Sequence, residues 1–124
     1  MAEVNRRAAE TLPGRTLALQ GIEPELRKEL REGMHALYGE RLKRLCIYGS
    51  YARGDAGPES DLDVLIVLGD ILSYDTEIER TGQLISELSL KYQVTLSRVF
   101  FSLDAWTRPQ SSFARRLQAE AVPA

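Results

Sequence analysis

Cysteine, tryptophan and histidine each occur once in these 124 residues, and no apolar stretch is long. With Cys46 as its only thiol, the chain closes no internal disulfide and builds no cysteine-based zinc site. Cys46 lies in the strand-like run Leu42–Tyr48 and reads as a small core residue. His35 sits beside the apolar stripe of a helix, without a partner at metal-ligand spacing. The run Val64-Leu65-Ile66-Val67-Leu68 is far shorter than the ~20 residues of a membrane span. No signal-peptide pattern opens the chain, so a cytoplasmic protein without membrane association is expected. An excess of positive charge is also missing: 16 Lys and Arg stand against 18 Asp and Glu, a formal net charge of −2. No dedicated nucleic-acid binding is expected, since such domains present a strongly basic face. A local basic funnel for phosphates remains compatible with this balance. Internal repeats and low-complexity tracts are absent as well.

What is present suits one small globular domain. Apolar residues make up 44% and charged residues 27%, enough to bury a single core. Residues 1–23 carry Arg6, Arg7, Pro13 and Gly14 with little periodicity and read as an arm or short helix; residues 24–124 read as the domain. Pro24 suits the first turn of a helix. Leu26, Leu30, Met34 and Leu37 then make one apolar face, which Gly39 ends. Leu42–Tyr48 reads as a strand, Ser50–Arg53 as a short helix, and Asp61–Leu68 as a second strand buried on both faces. A helix over Tyr74–Tyr92 places Ile78, Ile85, Leu88 and Tyr92 inward. Val94–Phe101 reads as a third strand. Ser102 caps a turn containing Trp106, and Ser111 or Ser112 caps a last helix to about Glu120. The fold class is α/β (α+β): a small mixed sheet with helices mainly on one face.

The chemistry gathers between Ile47 and Leu68. Gly49-Ser50 closes the first strand, and ten residues later Asp61-Leu62-Asp63 opens the second. A Gly-Ser pair that opens a helix exposes backbone N–H groups and a hydroxyl to phosphate oxygens. Carboxylates at i and i+2 of a strand share a face. Such a pair suits a hard cation such as Mg²⁺ or Mn²⁺, which takes oxygen ligands and leaves positions for phosphates. Arg53, one turn beyond Ser50, could add positive charge there or simply face solvent. Each residue alone has a plain reading: Gly49, Gly54, Gly57 and Pro58 as turn residues, Asp61 as a cap, Asp63 as an ion-pair partner. The set is harder to explain in that way, because two adjacent carboxylates at the mouth of a buried strand repel and are costly to desolvate.

The run from Ile47 to Leu68 resembles the signature of the polymerase-beta-type nucleotidyltransferase superfamily. Within it, the pattern of Gly-Ser, ten residues and Asp-x-Asp is similar to that of the minimal nucleotidyltransferase (MNT) group. Ala52-Arg53-Gly54 and Ser60, which often accompany the motif, are present, and the resemblance spans most of residues 24–121. It implies the nucleotidyltransferase fold and transfer of NMP from an NTP, with ATP the expected donor. Asp61 and Asp63 are implied as the catalytic metal ligands, and Gly49, Ser50 and Arg53 as the phosphate contacts. The group often serves as antitoxins paired with HEPN proteins, so a small helical HEPN-type partner is implied too.

The family also places a third carboxylate on the next strand, where it completes the metal site and promotes deprotonation of the nucleophile. Here that strand reads Val94-Thr95-Leu96-Ser97-Arg98-Val99-Phe100-Phe101, with Thr95 and Ser97 on the face the acid should occupy. A hydroxyl neither neutralises Mg²⁺ nor serves as a base near neutral pH. Asp104, Asp55 and Glu59 are weak substitutes. Trp106, Phe100 and Phe101 read as core rather than as a stacking platform, and Arg115-Arg116 as a solvated helix end. Three functions follow. The chain could modify a protein acceptor such as a HEPN-type toxin. It could instead be a catalytically weak or inactive nucleotide-binding module that neutralises a partner by contact. A small-molecule transferase of the antibiotic-modifying kind is disfavoured, because those enzymes usually carry an additional helical domain.

Overall fold

The computed structural model describes residue 19 and residues 21–124. Most of the arm expected over 1–23 lies outside the described residues. Helix α1 (Pro24–Tyr38) starts on its proline, with acidic Glu25 in the first turn. Leu26, Leu30, Met34 and Tyr38 form its buried row. The expected face ended on Leu37, which is instead 39% exposed. The buried row advances in steps of four throughout, and one more step reaches Tyr38. Gly39 ends the helix at φ 54°, its N–H donating to the His35 carbonyl. A 3₁₀ turn, Gly39–Arg41, leads into β1 (Leu42–Tyr48).

The other elements are α2 (Ser50–Arg53), β2 (Leu62–Leu68), α3 (Tyr74–Tyr92), β3 (Leu96–Ser102), α4 (Leu103–Thr107), α5 (Ser112–Glu120) and β4 (Val122–Pro123). Among the described residues the sheet runs β3-β2-β1-β4. β1 lies antiparallel to β2 and β4, while β2 and β3 are parallel. This is the mixed α/β sheet expected from the sequence.

Central β2 has apolar partners on both faces. Leu62, Val64, Ile66 and Leu68 join a core with α1 and α3. Leu65 and Val67 face a smaller core with Cys46, Trp106 and Leu117. The two long helices thus share one face, and the short α4 and α5 cover the other. Ser73, Ser102 and Ser111 cap α3, α4 and α5, each accepting the N–H three residues on. Among the described residues, no helix is long and apolar enough to cross a membrane.

Two strand starts differ from expectation by one or two residues. β2 begins at Leu62 rather than Asp61, and β3 at Leu96 rather than Val94. Gln93 ends α3 in the left-handed region, at φ 55°, and the Val94 N–H still bonds to the Ser89 carbonyl. Those backbone groups belong to the helix end, so the ladder opens later.

Helix α3 buries Ile85 and Leu88, with Ile78 and Tyr92 packed at the margin. It also buries Glu77 and Thr81. Glu77 accepts hydrogen bonds from Tyr38 Oη at 2.7 Å, Arg41 Nη2 at 2.9 Å and Arg80 Nε at 3.1 Å. Burial opposes ionisation of Glu77, but those three donors outweigh it and hold the carboxyl below its usual range. The Tyr38 hydroxyl is pushed well up, first by burial and then by Glu77. Because the Glu77 pKa is depressed on folding, its contribution is present above the unfolded pKa and lost as pH falls through the folded one. Glu77→Ala should destabilise the domain by about 1–3 kcal/mol in urea unfolding at pH 7, since it leaves the buried Tyr38 hydroxyl without its acceptor and removes the ion partner of two half-exposed arginines. Below about pH 4 the gap between the two proteins should narrow. Equal midpoints at pH 7 would remove this network from the stability account.

Candidate active site

The antiparallel register pairs Tyr48 with Asp63. The residue after Tyr48 therefore arrives at the mouth of β2. That residue, Gly49, adopts φ 77° and ψ −152°, a region essentially reserved for glycine. A Cβ built there would lie 2.2 Å from Asp63 Oδ2. The two halves of the motif, ten residues apart in the chain, are thus brought into direct contact. From Gly49 the chain turns into α2, which Gly54 ends in the left-handed region at φ 84°. The following loop is pinned by Ser60, whose Oγ accepts the Gly57 N–H at 2.9 Å.

Asp63 is half-buried, and its Oδ1 accepts a hydrogen bond from Ser97 Oγ at 2.5 Å. The parallel register sets these two residues opposite each other. Ser97 therefore stands where a third acid was expected. Thr95 is exposed ahead of β3, and its carbonyl accepts the Leu62 N–H at 2.9 Å. Asp61 is also exposed, one residue ahead of β2. It lines a cleft of about 460 Å³ together with Tyr51, Ser60, Gln93 and Thr95. Among the described residues, no three His, Cys, Asp or Glu side chains converge as a metal cage. The donor set of Asp61 and Asp63 fits a hard cation that keeps water or phosphate oxygens among its ligands, not one enclosed by protein.

The weaker candidates fall elsewhere. Asp104 follows Ser102, which pairs with Leu68 at the far end of β2. That is roughly 17 Å along the strand from Asp63, and Asp104 is paired with Arg108. Asp55 pairs with Arg53 at 3.4 Å, and exposed Glu59 lines the cleft. His35, Arg115 and Arg116 are exposed. Phe100 and Trp106 are buried and Phe101 is partly so, as core residues should be.

The sequence reading missed Glu120, the last residue of α5. Its Oε2 accepts the Gly49 N–H at 2.9 Å, and its Oε1 lies 3.6 Å from Arg53 Nη1. The Glu120 side chain is 19% exposed. A signal was available: Ala114, Leu117 and Glu120 recur every three residues, so this acid continues the buried row of its helix. Tyr48 lies on the same face, with its hydroxyl pushed up first by burial and then by the charge of Asp63.

A Gly-Ser turn packed on an Asp-x-Asp strand mouth in a mixed sheet is the arrangement of the nucleotidyltransferase fold. The family model described as nucleotidyltransferase domain matches residues 27–117, and the chain belongs to that family. Two Methanocaldococcus jannaschii proteins, MJ0141 and MJ0604, each provisionally named a protein adenylyltransferase, are similar. The first is 34% identical over 62% of this chain and 77% of its own length, the second 36% over 75% and 88%. Among solved structures, a chain of a toxin–antitoxin with AMP-PNP superposes with a TM-score of 0.57 at 15% identity, covering 78% of this chain and 70% of that one. A chain of a tri-AMPylated Shewanella oneidensis HEPN toxin in complex with MNT antitoxin gives 0.50 at 14% identity, over 79% and 67%. These last two likenesses establish the shared fold.

Gly49→Ala should be costly for two reasons. The backbone conformation costs of order 1–3 kcal/mol for a residue with a Cβ, and the added carbon would drive Asp63 off Ser97. Thermal unfolding should show a midpoint several degrees lower than wild type, about 3–6 °C per kcal/mol for a domain of this size. An unchanged midpoint would contradict the Gly49–Asp63 contact.

Proposed function

We propose that this chain transfers NMP from an NTP, with ATP the preferred donor, to a hydroxyl of a protein acceptor. The observation that carries the reading is the contact of Gly49 with Asp63, which sets strand-end backbone suited to phosphate beside a carboxylate suited to a hard cation. Gly49, Ser50 and Arg53 would hold the phosphates that leave as pyrophosphate. Asp61 and Asp63 would hold Mg²⁺ or Mn²⁺, which when bound neutralises phosphate charge as it develops. In the transfer, the acceptor oxygen bonds to the α-phosphorus, the bond from that phosphorus to the bridging oxygen breaks, and pyrophosphate departs. The acceptor's proton passes to solvent. The chain's own work is to align the triphosphate and shield its charge, which is the larger part of phosphoryl-group chemistry.

For the acceptor we propose a small helical HEPN-type protein. Support comes from the relatives' names as protein adenylyltransferases and from the fold shared with a chain of an MNT–HEPN complex. One observation favours a second reading. Ser97, on the face where a third acid was expected, is engaged with Asp63, which suits a catalytically weak module that neutralises its partner by binding.

A label-transfer assay with radiolabelled ATP, Mg²⁺ and the partner separates the two. Under the first reading, wild type labels the partner and Asp63→Asn loses at least about tenfold in nucleotide affinity, or 1.4 kcal/mol. Ser97→Asp should raise the transfer rate, because it supplies an anionic ligand and base. A partner that is bound but never labelled, by wild type or by Ser97→Asp, would favour the binding module. If wild type transfers and Ser97→Asp leaves its rate unimproved, either a ligand from elsewhere completes the site or two carboxylates suffice.

A further inference from the structure

Glu120 has no place in the chemistry described so far, yet it occupies two of the groups assigned to phosphate. Its carboxylate takes the Gly49 N–H at 2.9 Å and approaches Arg53 Nη1 to 3.6 Å. An anion therefore already sits on the donors that the nucleotide would need. We propose that Glu120 is an internal stand-in for phosphate, which holds the Gly49 amide and Arg53 in the free chain and withdraws when a nucleotide's phosphates arrive. The proposal rests on the nucleotide reading above and concerns the regulation of that same site.

The contacts of Glu120 favour this role over that of a missing third acid. It engages the anion-binding donors, whereas Asp63 is held by Ser97. Among the described residues, no three-acid cluster forms. The backbone around Glu120 is firmly placed. Leu117 is fully buried, and Val122 is 1% exposed and pairs with Ile47. The Ala124 N–H bonds to the Leu45 carbonyl at 2.9 Å, and the Ala124 carbonyl accepts from Arg27 and Arg31. Withdrawal is thus a rotation of one side chain that already reaches solvent, not a movement of α5. While Glu120 stays in place, its negative charge repels an incoming polyphosphate at close range. Its energy of attachment is subtracted from nucleotide affinity, in the way a minor binding-competent state lowers apparent affinity.

The experiment is a calorimetric titration of wild type, Glu120→Gln, Glu120→Ala and Asp63→Asn with a non-hydrolysable ATP analogue and Mg²⁺. Glutamine keeps the volume and can still accept the Gly49 hydrogen bond, but it carries no charge. Glu120→Gln should bind about three- to tenfold more tightly than wild type. Glu120→Ala should bind at least as tightly as Glu120→Gln, and Asp63→Asn more weakly than wild type. The Gly49 amide signal in ¹⁵N-resolved NMR should shift in ligand-free Glu120→Ala while other core signals stay, which shows a folded protein that has lost the contact. Equal or weaker nucleotide binding by both folded Glu120 variants, with wild type binding normally, overturns the proposal and leaves the nucleotide site standing. An absence of binding by all four proteins removes the nucleotide site, and the stand-in role with it.

Discussion

The antiparallel pairing of β1 with β2, ending at Tyr48 opposite Asp63, is the constraint on which the site depends. A one-residue slip would turn every side chain of β2 to the other face. It would also separate Gly49 from Asp63. The slip is prevented by burial: Val64 to Leu68 are all fully inaccessible, packed alternately into the two cores. The same apolar run that makes the domain stable therefore sets the position of the candidate site residues at its mouth. Glycine is required at the junction because the chain must turn at positive φ with the carboxylate against its Cα.

The site is rich in anions, and each is held by a different device. Asp63 is steadied by the Ser97 hydroxyl and Glu120 by the Gly49 amide, while Asp61 is left in solvent. Repulsion among these groups is tolerated because one is solvated and the others are hydrogen-bonded. On the opposite face of the sheet the acid Glu77 is treated differently. Three donors surround it, and it ties α1 to α3. Buried charge serves stability there, whereas at the strand mouth the carboxylates stay partly or fully open to solvent.

Much of the fold was legible because its signals are local. Strand β1, helix α2 and helix α3 have the bounds their sequence suggests, since Gly49, Gly54 and Ser73 are terminators and caps with a direct physical meaning. Differences appeared where a neighbour decides. Val94 and Thr95 have strand-forming character, but the end of α3 and the start of β2 take their backbone groups. Leu37 fits an apolar pattern by composition, while the winding of the helix row favours Tyr38. Glu120 was missed because its partners, Gly49 and Arg53, lie some seventy residues earlier.

By itself, the sequence determined the family motif, the two carboxylates, the glycine turn and the absence of an acid in the third strand. Those properties follow from residue type and spacing, which survive without knowledge of contacts. Only the tertiary structure decided that Ser97 and not Thr95 meets Asp63, that Asp61 opens onto a cleft, and that Glu120 lies on the Gly49 amide. Each of these depends on strand register or on the return of the chain's last helix across the sheet. Such pairings between distant segments are set by the sum of core packing, and no local pattern encodes them.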